Sequence, residues 1–462
     1  MNELNEKLTE LLDLLRARHY QQLRLLLEDL NPADIAEILV TLTDDEEISQ
    51  EELIKLFRLI PKDLAADTFV EMEPEMQEKL ISSFSDKELH DVVDELYLDD
   101  AVDIIEEMPA NVVARILKSV DANTRANLNQ LLNYPEDSAG SIMTIEYVDL
   151  RPDITVWDAF TIIRAAGVDK ETIYTCYITD KRKLVGIVTV KDLLLASYED
   201  KLCDIMEDNV ISVNTLSDKE EVAQMLSKYD FTALPVVDKE NRLVGIVTVD
   251  DAIDVMIEEA TEDIEKMAAI TPSERPYLRT GIFETFLQRI PWLLLLMVSA
   301  TFTGLIITGF EDALAAQVAL TAFIPMLMDT GGNSGSQASV TIIRGISLGE
   351  IEFSDLLEVI WKEIRVSVLC GLVLAAVSFG KIMLVDHLMM NNPSITVGVA
   401  AVVCLTLLFT VFIAKLVGCT LPMFAKKLGF DPAVMASPFI TTIVDALSLL
   451  IYMNVAKAML GI

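Results

Sequence analysis

The sequence predicts a multidomain membrane protein in which a superhelical α-helical domain, an α/β module and an acidic connecting helix precede five transmembrane helices. Three observations support this fold class: an uneven distribution of charge, an internal repeat and a series of long apolar segments. Residues 1–285 contain 27 Lys and Arg against 62 Asp and Glu, whereas residues 286–462 contain 9 against 11. The change in composition at Phe286 therefore separates an acidic soluble part from a membrane part.

We expect five regions in order along the chain. They are an acidic helical domain at 1–133, an α/β module at 134–249, a connecting helix at 250–270, a linker at 271–285 and a membrane domain at 286–462. The first ten residues are polar and do not resemble a signal peptide, so we expect the soluble regions to stay in the cytosol.

The charge of the soluble part disfavours some partners and favours others. Nucleic acid and anionic lipid surfaces would be repelled by so acidic a region, whereas divalent cations would be attracted. The five cysteines show no metal-ligand spacing and the histidines number three, which leaves oxygen ligands for a hard cation. The cysteine pattern also fits a reduced cytosolic compartment.

Short amphipathic units recur in the first region, for example at 34–39, 63–67 and 100–104. Stacked short helices that bury Leu and Ile predict a superhelical domain with an acidic outer surface. Most of these acids are expected to be solvated. Asp99 and Asp100 are candidates for contact with the α/β module.

A ten-residue segment occurs twice, at 183–192 and at 242–251, with a separation of 59 residues. Both copies alternate β-branched residues around a glycine and end at an aspartate that opens a helix. The pair resembles the CBS domain, a β-α-β-β-α module that occurs in tandem. In that family the Thr and Asp of the pattern Gly-x-x-Thr-x-x-Asp hold a nucleotide in some members, and other members bind none. The resemblance implies candidate ATP contacts at Thr189, Asp192, Thr248 and Asp251.

The segment after the second copy is a helix with an unusual density of acids. The acids are Asp250, Asp251, Asp254, Glu258, Glu259, Glu262, Asp263 and Glu265, and among them Asp251, Asp254, Glu258, Glu262 and Glu265 follow one another at spacings of three or four residues. Like charges four apart destabilise a helix by ~0.2–0.5 kcal/mol per pair, and only Lys266 offsets them. The helix is either a solvated surface or a site that cations neutralise. Surface helices usually mix both signs of charge, which favours cation sensing.

Five apolar segments are long enough for a hydrocarbon core of ~30 Å at a rise of ~1.5 Å per residue. They cover residues 290–310, 313–343 with a break in the middle, 366–385, 394–423 and 432–456. Basic residues flank them on one side, at Arg275, Arg279, Arg289, Arg344, Lys362, Arg365, Lys415, Lys426 and Lys427. The positive-inside rule therefore predicts a cytosolic amino terminus and an external carboxyl terminus.

Asp445 is the single charged residue in the fifth apolar segment. A carboxylate at bilayer depth costs roughly 3 kcal/mol or more and is expected to face protein or a wet cavity. Thr441 lies one turn earlier on the same helix face, and Pro438 frees a backbone carbonyl nearby. This arrangement predicts a cation pathway. The alternative is a structural aspartate paired with Lys381 or Lys457 near the outer rim.

The second apolar segment contains a polar, glycine-rich stretch at 330–337. We expect its side-chain oxygens and unpaired backbone carbonyls to face a pore, since lipid cannot satisfy them. Asp329 and Asn333 lie four residues apart and share a helix face, which supports that expectation. The alternative for the glycines is close helix packing alone.

With all regions in order, the chain resembles the MgtE family of magnesium channels over essentially its full length. The stretch at 330–337 and the segment at 431–445 carry the membrane motifs of that resemblance. It implies a homodimer with a pore on the two-fold axis. It also implies a plug helix at 250–270, which shuts the pore when cytosolic Mg²⁺ joins the soluble domains.

The resemblance implies roles for individual residues. Asp445 would select hydrated Mg²⁺, Asn333 would line the pore near Thr441 and Asp329, and Asp431 would share an ion with the plug helix. The acidic positions of that helix would be Asp250, Asp251, Asp254, Glu259, Glu262 and Asp263. The sequence does not distinguish Mg²⁺, Mn²⁺ and Co²⁺ as the transported ion. It also does not distinguish a channel from a proton-coupled transporter.

Two other functions compete with cation transport. A CBS-regulated anion transporter needs a basic or helix-dipole-lined pore, whereas the buried charge here is negative. A membrane-anchored enzyme is disfavoured because the sequence has no P-loop, nucleophile elbow or cluster of metal-binding histidines.

Overall fold

The computed structural model describes residues 2–44, 47–167, 170–273, 277–278, 280–435 and 437–461. The chain divides into two compact units, Met1–Met256 and Ile257–Ile462. Arg275 and Arg279, two of the residues behind the orientation prediction, lie outside the described residues.

The first unit begins with the predicted series of short helices. They are α1 (Asn2–Arg16), α2 (Tyr20–Glu28), α3 (Pro32–Asp44), α4 (Gln50–Phe57), α5 (Lys62–Val70), α6 (Pro74–Ser83), α7 (Asp86–Val93), α8 (Leu98–Glu107), α9 (Ala110–Ser119) and α10 (Ala122–Leu131). Ser49 and Ser85 start two of them with capping boxes, which satisfy amides at the helix start. Their apolar faces share one core, which includes Leu23, Leu53 and Val102.

Two similar α/β halves follow in the same unit. The first contains β1 (Asp149–Leu150), α11 (Val156–Ala166), β2 (Thr175–Asp180), β3 (Lys183–Thr189), α12 (Val190–Leu195) and α13 (Leu202–Ile205). The second contains β4 (Val213–Asn214), α14 (Lys219–Tyr229), β5 (Ala233–Val237), β6 (Leu243–Thr248) and α15 (Val249–Met267). In each half a parallel pair of strands is extended by an antiparallel one, in the orders β1-β2-β3 and β4-β5-β6.

The repeated glycines have equivalent packing roles. A Cβ added at Gly186 would lie 2.6 Å from the Sδ atom of Met206, and one added at Gly245 would lie 2.7 Å from the Sδ atom of Met143. Each glycine therefore lets a methionine cover the sheet at close range, which explains why both copies of the segment need it.

Helix α15 runs without interruption from the end of β6 to Met267. The last helix of the second half and the predicted connecting helix are therefore one element. Its counterpart in the first half, α12, ends at Leu195.

The membrane region is helical. Its elements are α16 (Ile282–Gly309), α17 (Glu311–Ala316), α18 (Ile324–Ser347), α19 (Leu356–Lys381) with a π-helical extension at Ile382–Met389, α20 (Val397–Lys427) and α21 (Ser437–Leu460). Among the residues that the structure describes, four stretches are long and apolar enough to cross a membrane: Ile282–Gly309, Phe353–Met389, Val397–Lys427 and Ala433–Leu460. The fifth predicted crossing is α18, which has 24 residues but a polar, glycine-rich composition.

The break in the second apolar segment lies earlier than the glycine-rich stretch. It falls between α17 and α18, where residues Val318–Phe323 form a 3₁₀-helix. Residues 330–337 are regular α-helix, so the expectation of unpaired backbone carbonyls there is wrong. Intrahelical hydrogen bonds satisfy them.

Helix α18 packs against both α20 and α21, which also contact each other. A Cβ at Gly331 would lie 2.7 Å from Thr410 Cγ2, and a Cβ at Gly418 would collide with the carbonyl oxygen of Gly335. For these glycines the structure favours the packing interpretation. Helix α16 contains no buried residue among those described and packs mainly along α21.

Candidate functional site

The carboxylate of Asp445 lies where α21 meets α18. The two helices are antiparallel, because Gly331 contacts Ser448 and Gly335 contacts Ile440. Asp445 is half-buried and close enough to Asp329 for an electrostatic interaction. Its Oδ1 atom is buried and has no hydrogen-bond partner among the described residues. A buried carboxylate oxygen without a protein donor is suited to accept hydrogen bonds from water or from a hydrated cation.

Thr441 approaches α18 closely because the facing residue, Gly332, has no side chain. A Cβ added at Gly332 would lie 2.8 Å from Thr441 Cγ2 and 3.4 Å from its Oγ1 atom. Glycine at 332 therefore brings the hydroxyl of Thr441 to the same helix contact as Asp445, one turn away.

A polar stripe runs along the exposed face of α18. Asp329, Asn333 and Gln337 are spaced by four residues, and all three are exposed in the single chain. Lipid cannot solvate a carboxylate and two amides at this depth. The stripe must therefore be covered by protein or water in a membrane. The four predicted pore residues thus lie on two adjacent helices.

The two lysines considered as structural partners of Asp445 have other contacts. Lys381 Nζ lies 2.7 Å from Asp386 Oδ2, and Lys457 Nζ lies 4.7 Å from the ring centroid of Phe310. Within the described part of the chain Asp445 makes no ion pair. The structure does not support the interpretation of Asp445 as half of a structural ion pair.

One buried ion pair of the membrane region was not predicted. Lys415 Nζ lies 3.6 Å from Glu363 Oε2, and the two side chains are 8% and 13% exposed. The sequence-based assignment of Lys415 to the flanks of the fourth span is therefore wrong, because it lies inside α20, twelve residues before Lys427. Its partner Glu363 lies in α19 within an otherwise amphipathic first half, so spacing alone gave no signal.

A second acidic group lies in the soluble unit, between α8 and the start of α15. Burial, with repulsion from Asp251, raises the pKa of Asp100 to about 7 and that of Asp103 to about 7. Burial and repulsion from Asp100 likewise raise the pKa of Glu171 to about 8. Asp99, which is almost fully buried, also has a pKa well above its usual range, first from burial and then from Asp251.

Asp99 and Asp100 thus lie close enough to Asp251 for electrostatic interaction. The amide of Leu98 also donates to Glu146 Oε2 across 3.0 Å, which attaches the start of α8 to the first α/β half. Asp103 and Glu171 were not foreseen. Among the residues described, no three Asp, Glu, His or Cys side chains converge closely enough to ligate one metal directly. The group is a cluster of carboxyl groups that hold their protons more tightly than isolated ones do.

The candidate nucleotide residues form two equivalent pairs. Thr189 and Asp192 form a capping box at the start of α12, with the Asp192 amide donating to Thr189 Oγ1 across 3.1 Å. Asp251 accepts a short hydrogen bond from the hydroxyl of Thr248 at the start of α15. Burial outweighs this bond and raises the pKa of Asp251 to about 6. Each pair thus has a structural role in starting a helix.

The acids of α15 fall into groups. Asp250 and Asp254 have exposed side chains on its first turns, and Asp251 between them is half-buried. Partial desolvation of the Asp254 carboxyl, followed by repulsion from Asp250, raises the pKa of Asp254. Glu258 is exposed and Glu259 half-buried in the middle of the helix.

The last turns of α15 contact the membrane helices. Asp263 Oδ2 accepts a hydrogen bond from Ser347 Oγ across 2.9 Å, at the end of α18. Asp431 lies 2.7 Å from Lys266 Nζ, which is also 2.6 Å from Glu262 Oε1. The structure therefore places Asp431 beside the end of α15, with the ammonium of Lys266 between Asp431 and Glu262.

Comparison with known protein families assigns each region. The MgtE family, described as a divalent cation transporter, matches residues 324–455. The MgtE intracellular N domain matches residues 30–137, and the CBS domain matches residues 139–199 and 202–258.

Full-length relatives give the same assignment. The chain is 37% identical over 463 residues to the magnesium transporter MgtE of Thermus thermophilus, covering 99% of both chains. It is 35% identical over 459 residues to the magnesium transporter MgtE of Bacillus subtilis, covering 98% of this chain and 97% of the relative.

Two solved structures resemble the soluble part. One is a crystal structure of the cytosolic domain of the Mg²⁺ channel MgtE in complex with ATP, 38% identical, with a TM-score of 0.50, covering 54% of this chain and 99% of that one. The other is the soluble part of a magnesium transporter, 29% identical, with a TM-score of 0.51, covering 56% of this chain and 99% of that one. From its membrane region to its CBS pair, the chain belongs to the MgtE family of divalent cation transporters.

Proposed function

We propose that this chain conducts Mg²⁺ across the cell membrane and is closed by cytosolic Mg²⁺, without catalysing a chemical reaction. The observation that carries the proposal is Asp445, a half-buried membrane carboxylate whose Oδ1 atom lacks a donor among the described residues. The names of the full-length relatives support magnesium as the cargo.

The proposed pathway suits a hydrated divalent ion. Mg²⁺ keeps its inner waters at ~2.0–2.1 Å and binds proteins through few carboxylates. Asp445 and Asp329 supply charge, and Thr441 and Asn333 supply polar atoms for the outer side of those waters. The absence of a tight three-ligand cluster in the described residues fits this outer-shell recognition.

A homodimer would complete the pathway. The exposed stripe of Asp329, Asn333 and Gln337 needs a polar or protein surface opposite it in the membrane. A second copy related by a two-fold axis supplies one, since isologous dimers bring the same surface together. Two copies of Asp445 would then face one ion.

The proposed orientation places the amino terminus in the cytosol and the carboxyl terminus outside. Arg289, Arg344, Lys426 and Lys427 lie at ends of helices that five crossings would put on one side. That side is the cytosol by the positive-inside rule.

The regulatory site is proposed to be the acidic group between α8, the first α/β half and α15. Burial, followed by repulsion from neighbouring acids, raises the pKa values of its carboxyl groups, so ionising them in the compact unit is costly. Cytosolic Mg²⁺ bound there, with its waters, would neutralise them and favour compaction. Asp250, Asp251 and Asp254 on α15 would contribute to it.

The CBS pair is further proposed to bind ATP. The support is the ATP complex of the related cytosolic domain and the two threonine–aspartate pairs, Thr189 with Asp192 and Thr248 with Asp251.

The deciding experiment is cation flux into liposomes that contain the full-length protein. Wild type is expected to carry Mg²⁺, and Asp445→Asn is expected to reduce the flux by about a hundredfold or more, since an amide cannot replace the pore charge. Asp312→Asn removes an exposed carboxylate at the start of α17 and serves as the matched control. Normal flux through Asp445→Asn contradicts the pathway, and chloride flux in place of Mg²⁺ flux contradicts the function. Parallel runs with Mn²⁺ and Co²⁺ rank the ions.

A further inference from the structure

Lys266 occupies a defined position at the end of α15. Its Nζ atom lies 2.6 Å from Glu262 Oε1 and 2.7 Å from Asp431 Oδ2, and its side chain is 22% exposed. The other oxygen of Asp431 accepts a hydrogen bond from the amide of Ala433 across 2.8 Å. Burial disfavours the ammonium, but its hydrogen bonds to Asp431 and Glu262 prevail and raise the pKa of Lys266.

The surrounding contacts attach the same helix end to the membrane helices. Asp263 accepts the hydrogen bond of Ser347, which is the last residue of α18. Met267 packs against Ile343 and Ala433. The ion pair, the hydrogen bond and the apolar contact together hold the last turn of α15 on α18 and on the segment that leads into α21.

We propose that Lys266 is a tethered cation that holds the end of α15 on the membrane helices when cytosolic Mg²⁺ is scarce. Glu262, Asp263 and Asp431 would otherwise repel one another, because all three carboxylates lie on this contact. A lysine ammonium is a compact point charge with three donors, so it fits between two carboxylates where a hydrated divalent ion also fits. As part of the helix it is always present at high effective concentration.

The proposal rests on the proposed role of α15 in closing the pathway, and it adds a consequence. The attachment of the helix end does not depend entirely on bound Mg²⁺. Lys266 sets a basal level of attachment, and Mg²⁺ at the acidic group near α8 acts in addition to it. Removing the ammonium would free Glu262 and Asp431 for Mg²⁺ and make the attachment depend on the ion.

The test measures attachment directly by disulfide formation between Met267→Cys and Ile343→Cys in the full-length protein, after its five native cysteines have been replaced. In this background Lys266→Met is expected to lower the cross-linking rate about three- to tenfold in chelator, and MgCl₂ is expected to restore it. Lys266→Arg keeps the cation and is expected to stay within about twofold of the parent. Lys427→Met removes a lysine from the end of α20 that lies over the Phe353 ring, and is the matched control.

Unchanged cross-linking of Lys266→Met in chelator overturns the proposal, as does an equal loss in Lys427→Met. Mg²⁺ flux is measured on the same samples, and Lys266→Met is expected to conduct more at low internal Mg²⁺ than the parent. If the parent conducts no Mg²⁺, the proposed function fails, while the cross-linking rates still decide the role of Lys266.

Discussion

Thr441 of α21 packs directly on Gly332 of α18, with only 2.8 Å between the threonine Cγ2 atom and the position that a Cβ at 332 would take. Real Cβ atoms do not approach a carbon so closely, so a side chain at 332 must displace the side chain of Thr441 or move α21. The contact lies one turn from Asp445. The surroundings of the Asp445 carboxylate thus depend on glycine at position 332.

Gly332→Ala is expected to lower Mg²⁺ flux strongly and to destabilise the protein by about 1–3 kcal/mol, the usual cost of overpacking. Thermal unfolding in detergent and liposome flux measure the two effects. Gly304→Ala, at a helix position where an added Cβ meets no atom within 4 Å, is the control. Equal behaviour of the two variants would show that α18 and α21 separate at no cost.

Asp329→Asn is expected to weaken Mg²⁺ flux less than Asp445→Asn does, by about three- to tenfold. Asp329 is exposed in the chain and interacts with Asp445 through space, so its charge adds to the potential at the carboxylate without replacing it. Flux measured over a range of salt concentrations checks this, since screening should reduce the effect. A complete loss of flux at every salt concentration would make Asp329 a direct binding residue.

Lys415→Met is expected to destabilise the membrane unit by about 3–5 kcal/mol, because it leaves the carboxylate of Glu363 buried without a counter-charge. The double variant Lys415→Met/Glu363→Gln is expected to recover most of that loss. Unfolding of the two single variants and the double variant gives the coupling free energy. Additive effects would show that the 3.6 Å pair does not interact.

The soluble unit is expected to lose stability as the pH rises from about 5 to 8 in the absence of Mg²⁺. The pKa values of Asp251, Asp100, Asp103 and Glu171 are raised in the folded unit to about 6, 7, 7 and 8. The folded state therefore binds more protons than the unfolded state in this range, so raising the pH favours unfolding. Thermal unfolding of the full chain across pH, with chelator and with MgCl₂, measures the slope.

Added Mg²⁺ is expected to flatten that slope and to release protons on binding, because the ion replaces them. Asp100→Asn/Asp103→Asn should reduce both the slope and the proton release. Asp208→Asn, which removes an exposed carboxylate outside the acidic group, should change neither. A slope of the opposite sign would mean that these carboxylates are paired in the folded unit.

The fold could be predicted from the sequence where a pattern had one physical explanation. The repeated segment specified two equivalent β-α-β-β-α halves, because each copy carries a glycine, a threonine and an aspartate at positions with fixed structural roles. Asp445 stood out because a lone carboxylate in an apolar helix has few structural explanations. Asp99, Asp100 and Asp103 lie on one short helix, but the sequence did not show that they lie near Asp251 and Glu171, which are distant along the chain.

Other features depended on contacts that spacing does not encode. Lys415 resembles a flanking basic residue until Glu363 is found opposite it on another helix. The glycines at 331, 332 and 335 resemble helix breakers, yet they permit a regular helix to pack closely on two neighbours. The position of Lys266 between Glu262 and Asp431 likewise joins residues 165 positions apart in the sequence.

Helix α16 has 28 residues, none of them buried among those described, and its main neighbour is α21. At a rise of ~1.5 Å per residue it measures about 42 Å, which exceeds a hydrocarbon core of ~30 Å. Such a helix tilts to match the bilayer, and the tilt changes with lipid chain length. Because α16 packs along α21, and α21 carries Asp445, a change in tilt would alter the surroundings of that carboxylate. Ion permeation would therefore depend on acyl-chain length, which cells adjust with temperature.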